Sequence, residues 1–339
     1  MAQYQVYGIG NALVDTEVEV SDAFLAQRSI EKGVMTLVDA SRQQELVDSL
    51  QQQEFAVKHA SGGSAANTII GAQYFGAKTY YGFRVADDTD GRFYVEDLNA
   101  AGVAHNGNTV GNAPLPTGKC LVMVTADAER TMNTCLSISE QVSVEDLNPE
   151  AIASSEYVYL EGYLVTSDTG RAAAIKMREL AEAAGVKTAL TFSDPAMVEF
   201  FKDGLNDMLG DGVDLLFCNE QEAINWAEAS DVMAAAEKIK TVAKAFVITL
   251  GANGALVFDG DHFIEVAPHK TTAVDSNGAG DMFAGAFLYA ITSGRSFSEA
   301  GRFASMSAAK VVSQFGPRLQ AEQYHELHQQ CFGALKEEL

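Results

Sequence analysis

The chain has 339 residues, 47% of them apolar and 20% charged, enough to bury a sizeable core and unlike a disordered segment. Its 46 acidic side chains outnumber 23 basic ones, for a formal charge of −23 with no basic stripe, which excludes nucleic acid and anionic membrane as partners. Four scattered cysteines without a CxxC pair, no leader-like N-terminus and no apolar run of about 18 residues point to a cytoplasmic globular protein.

In chain order, Tyr4–Gly10 reads as a buried strand, and Thr16–Val20 and Val34–Val38 alternate like half-exposed strands. Thr117–Thr125 and Arg130–Thr134 flank Ala126-Asp127-Ala128-Glu129 and predict a hairpin. From residue 155 the pattern becomes regular. Strands are predicted at Tyr157–Leu160, Lys187–Phe192, Val213–Phe217 and Phe246–Leu250, separated by helices over Asp168–Ala184, Ala196–Leu209 and Asn219–Lys240. A hairpin of Ala255–Phe258 and Phe263–Val266 follows, and helices fill Gly280 to the end. Strands alternating with helices require right-handed crossovers and hence a parallel sheet covered on both faces. The early β segments, roughly 13–37 and 103–136, predict a small β insertion over that α/β body.

Two nucleotide motifs fail on inspection. Gly8-Ile9-Gly10-Asn11-Ala12-Leu13 starts like a dinucleotide fingerprint, but Leu13 stands where close helix–strand packing needs a small residue. Gly118-Lys119 lacks the P-loop's upstream glycine, and Cys120 replaces the hydroxyl residue that would hold magnesium.

One stretch survives. Gly278, Ala279 and Gly280 precede a long amphipathic helix, so their N–H groups can approach an anion where the helix dipole favours negative charge. Asp281 beside them fits two roles: a first-turn cap, or a carboxylate that takes the proton from a hydroxyl attacking a phosphoryl group.

Asp275-Ser276-Asn277-Gly278-Ala279-Gly280-Asp281 resembles the second signature of the PfkB/ribokinase family of sugar and nucleoside kinases, with Ser276 in place of the usual threonine. Ser61-Gly62-Gly63-Ser64-Ala65-Ala66-Asn67-Thr68 resembles the first, although Ala86 stands where a glycine is usual downstream. Asn219-Glu220-Gln221-Glu222 and Thr249-Leu250-Gly251 with Gly254 resemble two further family segments, in the family's order. Within the family, Gly10-Asn11-Ala12-Leu13-Val14-Asp15, Pro116–Cys120 and Glu161-Gly162-Tyr163 are similar to the adenosine kinase branch.

The resemblance implies one ribokinase-like domain over residues 1–339, a three-layer α/β/α fold with a mostly parallel sheet and a small β-sheet lid. It implies ATP-dependent transfer to the 5′ or primary hydroxyl of a nucleoside, adenosine first, or else of a free sugar such as ribose, fructose or a keto-deoxy sugar acid. Asp281 would be the base and Gly278, Ala279 and Gly280 the anion hole. Asn11, Asp15, Gly62, Gly63, Asn67, Arg130 and Tyr163 would meet the acceptor or close over it, with Tyr163 stacking on a purine and Leu121 and Met123 lining the base. Asn219, Glu222, Thr249, Gly251, Gly254 and Asn277 would meet the donor, and Asn219 and Glu222 would position Mg²⁺ through water. Asn219 and Glu222 also have the spacing of a helix capping box. Many members need a monovalent cation such as K⁺; backbone carbonyls near Asp275 and after Ser313 would hold it here. A monomer and a homodimer both fit. A non-catalytic nucleoside or sugar sensor is the rival of another class, and an intact Asp281 beside an intact Gly-Ala-Gly loop counts against it.

Overall fold

The helix Asp168–Ala184 shows why the second half of the chain is so regular. The Ser167 hydroxyl caps it by accepting from the Gly170 N–H, Gly185 ends it in the left-handed conformation, and Ala173, Ala174, Met177 and Ala181 form its buried stripe. In the computed structural model, which describes residues 2–51 and 58–333, such helices alternate with the strands of a nine-stranded sheet. Residues 334–339, expected to continue the last helix, lie outside the described residues.

The sheet runs in the order 263–266, 255–258, 243–249, 213–219, 187–191, 155–161, 4–9, 79–82, 104–105. Its first two pairings, 263–266 with 255–258 and 255–258 with 243–249, are antiparallel; every other pairing is parallel. Side chains alternate between two cores, Tyr159, Leu215 and Val247 on one face, and Leu160, Leu216 and Phe246 on the other. The helices Ser64–Phe75, Ala279–Thr292 and Phe297–Val312 cover the first face, and Asp168–Ala184, Pro195–Leu209 and Glu220–Ala227 cover the second. This is the expected three-layer α/β/α architecture. Strand order reverses between 4–9 and 155–161, and such a switch point opens a crevice at the carboxyl ends of the strands.

A second sheet of five strands, ordered 35–37, 130–135, 118–124, 13–19, 58–62, stands over that crevice. The hairpin of 118–124 with 130–135 forms as predicted. The strand Lys58–Gly62 joins this sheet as well, although its sequence carries no branched or aromatic residue that would announce a strand. Ala104–His105 instead edges the large sheet, so the second segment of the small sheet begins at Gly118 rather than at 103.

Two close approaches fix the helices around the crevice. A Cβ on Gly285 would lie 2.5 Å from the Thr68 carbonyl oxygen, so glycine lets the helices Ala279–Thr292 and Ser64–Phe75 touch backbone to backbone. At the end of strand 155–161, the buried Glu161 carboxylate accepts from the Asn11 N–H at 3.1 Å and the Ala65 N–H at 2.7 Å. It thereby joins two neighbouring strands and a helix start. Burial pushes the Glu161 carboxyl up to about 7, against the lowering pull of those N–H groups.

A folded-state pKa above the unfolded value of about 4.3 means that the fold favours the protonated carboxyl. Its contribution is complete below that value and is lost as pH rises through 7. Between pH 5 and 8 the protein should lose roughly 3 kcal/mol of stability from this group, and Glu161→Gln should remove that part of the slope. Urea midpoints measured across the range for both proteins check this.

Candidate active site

A cavity of about 540 Å³ lies between the carboxyl ends of strands 4–9, 155–161, 187–191, 213–219 and 243–249 and the inner face of the small sheet. That volume suits a small-molecule ligand. Its walls gather the residues singled out in the sequence except Gly62, Gly254, Leu121 and Met123.

The helix Ala279–Thr292 starts at Gly278, whose φ of +72° and contact with Pro317, 2.4 Å from a would-be Cβ to the Pro317 oxygen, admit only glycine. At Gly280 a Cβ would meet nothing within 4 Å, so the first turn opens onto free space. N–H groups at a helix start lack partners within the helix, and an anion placed there would meet them. Asp281 projects into the cavity from the same turn. Its Oδ1 accepts from the Ser64 hydroxyl at 2.6 Å and its Oδ2 from the Asn67 amide at 3.0 Å. Burial raises the Asp281 carboxyl above its ordinary value, and those two hydrogen bonds and the Arg130 charge pull the other way.

Behind this turn, Asp275 is fully buried and accepts from the N–H groups of Asn277 and Gly316, both at 2.9 Å. The Asn277 amide donates to Glu17 of the small sheet at 2.8 Å, and the Ser276 N–H donates to the Ala128 carbonyl in the hairpin's turn at 3.2 Å. The small sheet therefore rests on the glycine loop.

Asp15, 5% exposed, faces the cavity from the small sheet. A Cβ on Gly62 would sit 2.0 Å from its carboxyl carbon, so Gly62 serves by leaving room for Asp15 rather than by lining the cavity. Gly63, at φ +96°, packs against the Asn11 carbonyl and starts the helix that carries Ser64 and Asn67. Burial and then Glu17 push the Asp15 carboxyl well above the usual range, while Arg318 pulls it down.

Toward the far end of the sheet, Asn219 and Glu222 form a complete capping box: Glu222 accepts from the Asn219 N–H at 3.0 Å, and Asn219 Oδ1 accepts from the Glu222 N–H at 2.8 Å. The Glu222 carboxylate nevertheless lines the cavity, and burial pushes it up to about 7. Thr249 and Gly251 close this end. Gly254 does not reach it; at φ +93°, with a would-be Cβ 2.0 Å from the Val266 oxygen, it shapes the turn that follows. Among the described residues no three His, Cys, Asp or Glu side chains gather as a metal cage.

Three expectations change. Leu121 and Met123 point away from the cavity into a core with Val18, Phe24 and Leu46, and the cavity face of the hairpin is Cys120, Met132 and Thr134. Every residue from Cys120 to Val124 is buried, so no polar alternation marks which side faces the ligand, and a one-residue slip reverses the choice. The Tyr163 hydroxyl donates to Asp194 at 3.3 Å, in a group with Arg130 and Glu222 rather than with Asp15. Burial opposes the Arg130 charge, yet Tyr163, Asp194 and Asp281 hold its pKa above the ordinary value. Ser64, Glu161, Glu17 and Asp194 went unassigned in the sequence. Ser64 sat inside a quoted motif, and Glu17 follows Asp15 by two, the spacing of a shared strand face.

The sequence profile of the pfkB family carbohydrate kinases matches residues 33–323. Adenosine kinase 1 of Arabidopsis thaliana is 30% identical over 91% of this chain and 94% of its own. The crystal structure of adenosine kinase from Sinorhizobium meliloti superposes with a TM-score of 0.90 at 34% identity, covering 97% of this chain and all of that one. A probable sugar kinase from Rhizobium etli CFN 42 does so with a TM-score of 0.91 at 33% identity, over 97% and 99% of the two chains. The chain belongs to the pfkB family of carbohydrate kinases, phosphotransferases that act on an alcohol group of a sugar or nucleoside.

Proposed function

We propose that the protein transfers the γ-phosphoryl group of ATP to the 5′-hydroxyl of adenosine. The observation that carries this reading is the placement of Asp281, half-buried beside an open glycine turn and aimed into the cavity by Ser64 and Asn67. A carboxylate held there accepts the proton of an attacking hydroxyl, while Gly278, Ala279 and Gly280 offer N–H groups to charge developing on the phosphoryl oxygens. A sensor needs no such base.

The acceptor would lie against the small sheet. Asp15 and Asn67 would grip ribose hydroxyls with Asn11 and Gly63 beside them, and the apolar face of Leu13, Met35, Cys120 and Met132 would take the base. The donor would extend toward Thr249, Gly251 and Asn219. Arg130 is the cation on the cavity wall among the described residues, facing Asp194 and Asp281, so a polyphosphate there needs further positive charge. Mg²⁺ would supply it, held through water by Asn219 and Glu222, and would neutralise phosphate charge. The chemistry of the wall fits: Glu222 is a buried carboxylate on the cavity wall that feels the Arg130 charge but makes no direct ion pair among the described residues. A monovalent cation at the Asp275–Gly316 junction belongs to the same proposal. The small sheet, tied to the glycine loop through Asn277 and Ser276, would act as the lid, with Arg130 at its hairpin. The four free cysteines support a reducing cytoplasm as its compartment, and no helix among the described residues is long and apolar enough to cross a membrane.

Asp281→Asn should fold normally and lose about 10²–10⁴-fold in kcat, with acceptor affinity nearly unchanged. A variant that keeps half the rate would reduce Asp281 to a link between two helices.

Acceptor choice is tested by competition among adenosine, guanosine, ribose and fructose at equal concentration with Mg·ATP. Adenosine should win, and it should outperform 2′-deoxyadenosine by at least about tenfold because the deoxy analogue strands buried polar groups. Asp15→Ala should erase most of that preference. Phosphorylation of ribose or fructose with adenosine untouched would move the acceptor to the free sugars and leave the kinase chemistry intact.

A further inference from the structure

The turn Gly316-Pro317-Arg318 touches both halves of the cavity without lining it. The Gly316 N–H holds Asp275, Gly316 lies beside Glu17, and Pro317 packs on Gly278, so its first two residues fix the glycine loop. The third reaches the acceptor side. Arg318, with a side chain 14% exposed, donates through Nη2 to Asp97 Oδ2 at 2.8 Å and to the Ser61 hydroxyl at 3.2 Å. Ser61 also bonds to Asp97 directly. It pairs with Val14 across the ladder, one residue from Asp15 and one from Gly62, the glycine that makes room for Asp15. From the helix Thr89–Ala101, the Tyr94 hydroxyl donates to the Gly62 carbonyl at 3.1 Å. The strand under Asp15 is thus held from behind by Tyr94, Asp97 and Arg318.

The charges call for such a brace. Asp15 is almost fully buried, with Glu17 on its own strand, Asp281 on the helix Ala279–Thr292 and Glu161 on strand 155–161 all opposing its charge, and Arg318 favouring it. A buried carboxylate in acidic company keeps a fixed direction only if its backing does not move and some positive charge balances it.

We propose that Arg318 is a positioning residue for the acceptor: through Ser61 and Asp97 it fixes the strand beneath Asp15 and supplies a balancing positive charge, so acceptor affinity depends on a side chain that never touches the acceptor. This rests on the reading that Asp15 grips the acceptor's hydroxyls.

The test is a double-mutant cycle on ligand affinity. Titration calorimetry of adenosine, or of the panel compound that is phosphorylated in its place, is run on the unaltered protein, Arg318→Gln, Asp15→Asn and the double variant. Arg318→Gln should weaken the acceptor roughly tenfold while the KM for Mg·ATP stays within about twofold. Arg318→Lys, which keeps the charge, should recover most of the loss. In the Asp15→Asn background the Arg318 substitution should have almost no further effect. Full additivity would overturn the proposal and leave the Asp15 reading standing. Unchanged affinity in Asp15→Asn alone would overturn both. A rise in both KM values in step with a lower melting temperature would make Arg318 a purely structural residue and also overturn it. Should Arg318→Gln fail to fold, Ser61→Ala, which keeps the Arg318 charge but removes the hydroxyl that ties it to the strand, replaces it in the cycle: a loss of acceptor affinity that disappears in the Asp15→Asn background is expected, and full additivity or unchanged affinity overturns the proposal.

Discussion

Two helix starts converge on one carboxylate, and the site depends on their meeting. Ser64 and Asn67 belong to the first turns of one helix, Asp281 to the first turn of another, and the two hydrogen bonds between them join the helices at their positive ends. Like ends of two dipoles repel unless negative charge lies between them. Asp281 supplies it, and the Glu161 carboxyl oxygen adds an acceptor for the Ala65 N–H. Gly285 lets the two helices run in backbone contact behind that point. The same positive ends that hold these carboxylates face the open space at Gly280, so one arrangement serves both stability and anion attraction.

The small sheet adds what the large sheet lacks, a polar grip set in an apolar face. Asp15 and Glu17 share a face of one strand, and they lead separate ways. Glu17 reaches Asn277 and the glycine loop, whereas Asp15 faces the cavity. The junction at Asp275, Gly316 and Pro317 ties these paths together behind the site. The small-sheet side and the glycine-loop side of the cavity therefore share one backing, although the residues that form it lie 41 positions apart in the chain.

The second half of the fold was plain in the sequence because each element there carries its own signal. Ser167 and Gly185 bound a helix, and Ala255–Phe258 with Phe263–Val266 bound a hairpin. The first half was less plain because its elements are defined by partners. Lys58–Gly62 is a strand through its ladder with residues 13–17, and Cys120–Val124 is apolar on both faces because both are covered. The glycine loop and Asp281 were legible as a motif with a mechanism. Arg318 was not, since a lone arginine after Gly-Pro carries no pattern, and only the fold brings Asp97 and Ser61 to it. Gly254 shows the reverse case, a residue inside a recognisable segment whose work is to turn the chain.

The acidic lining of the acceptor side has a consequence for the direction of traffic. Asp15, Glu161 and Asp281 line a space that suits an uncharged polyol or nucleoside, with Glu17 behind them. On the proposed reaction, that neutral guest leaves as a phosphate ester carrying up to two negative charges. The same wall that accepts the alcohol then repels its ester, and the repulsion is strongest where water is most fully excluded. On that reading the carboxylates favour departure of the ester while Arg130 and the N–H groups of the glycine turn favour its retention, so the charge on the wall bears on release as well as on entry.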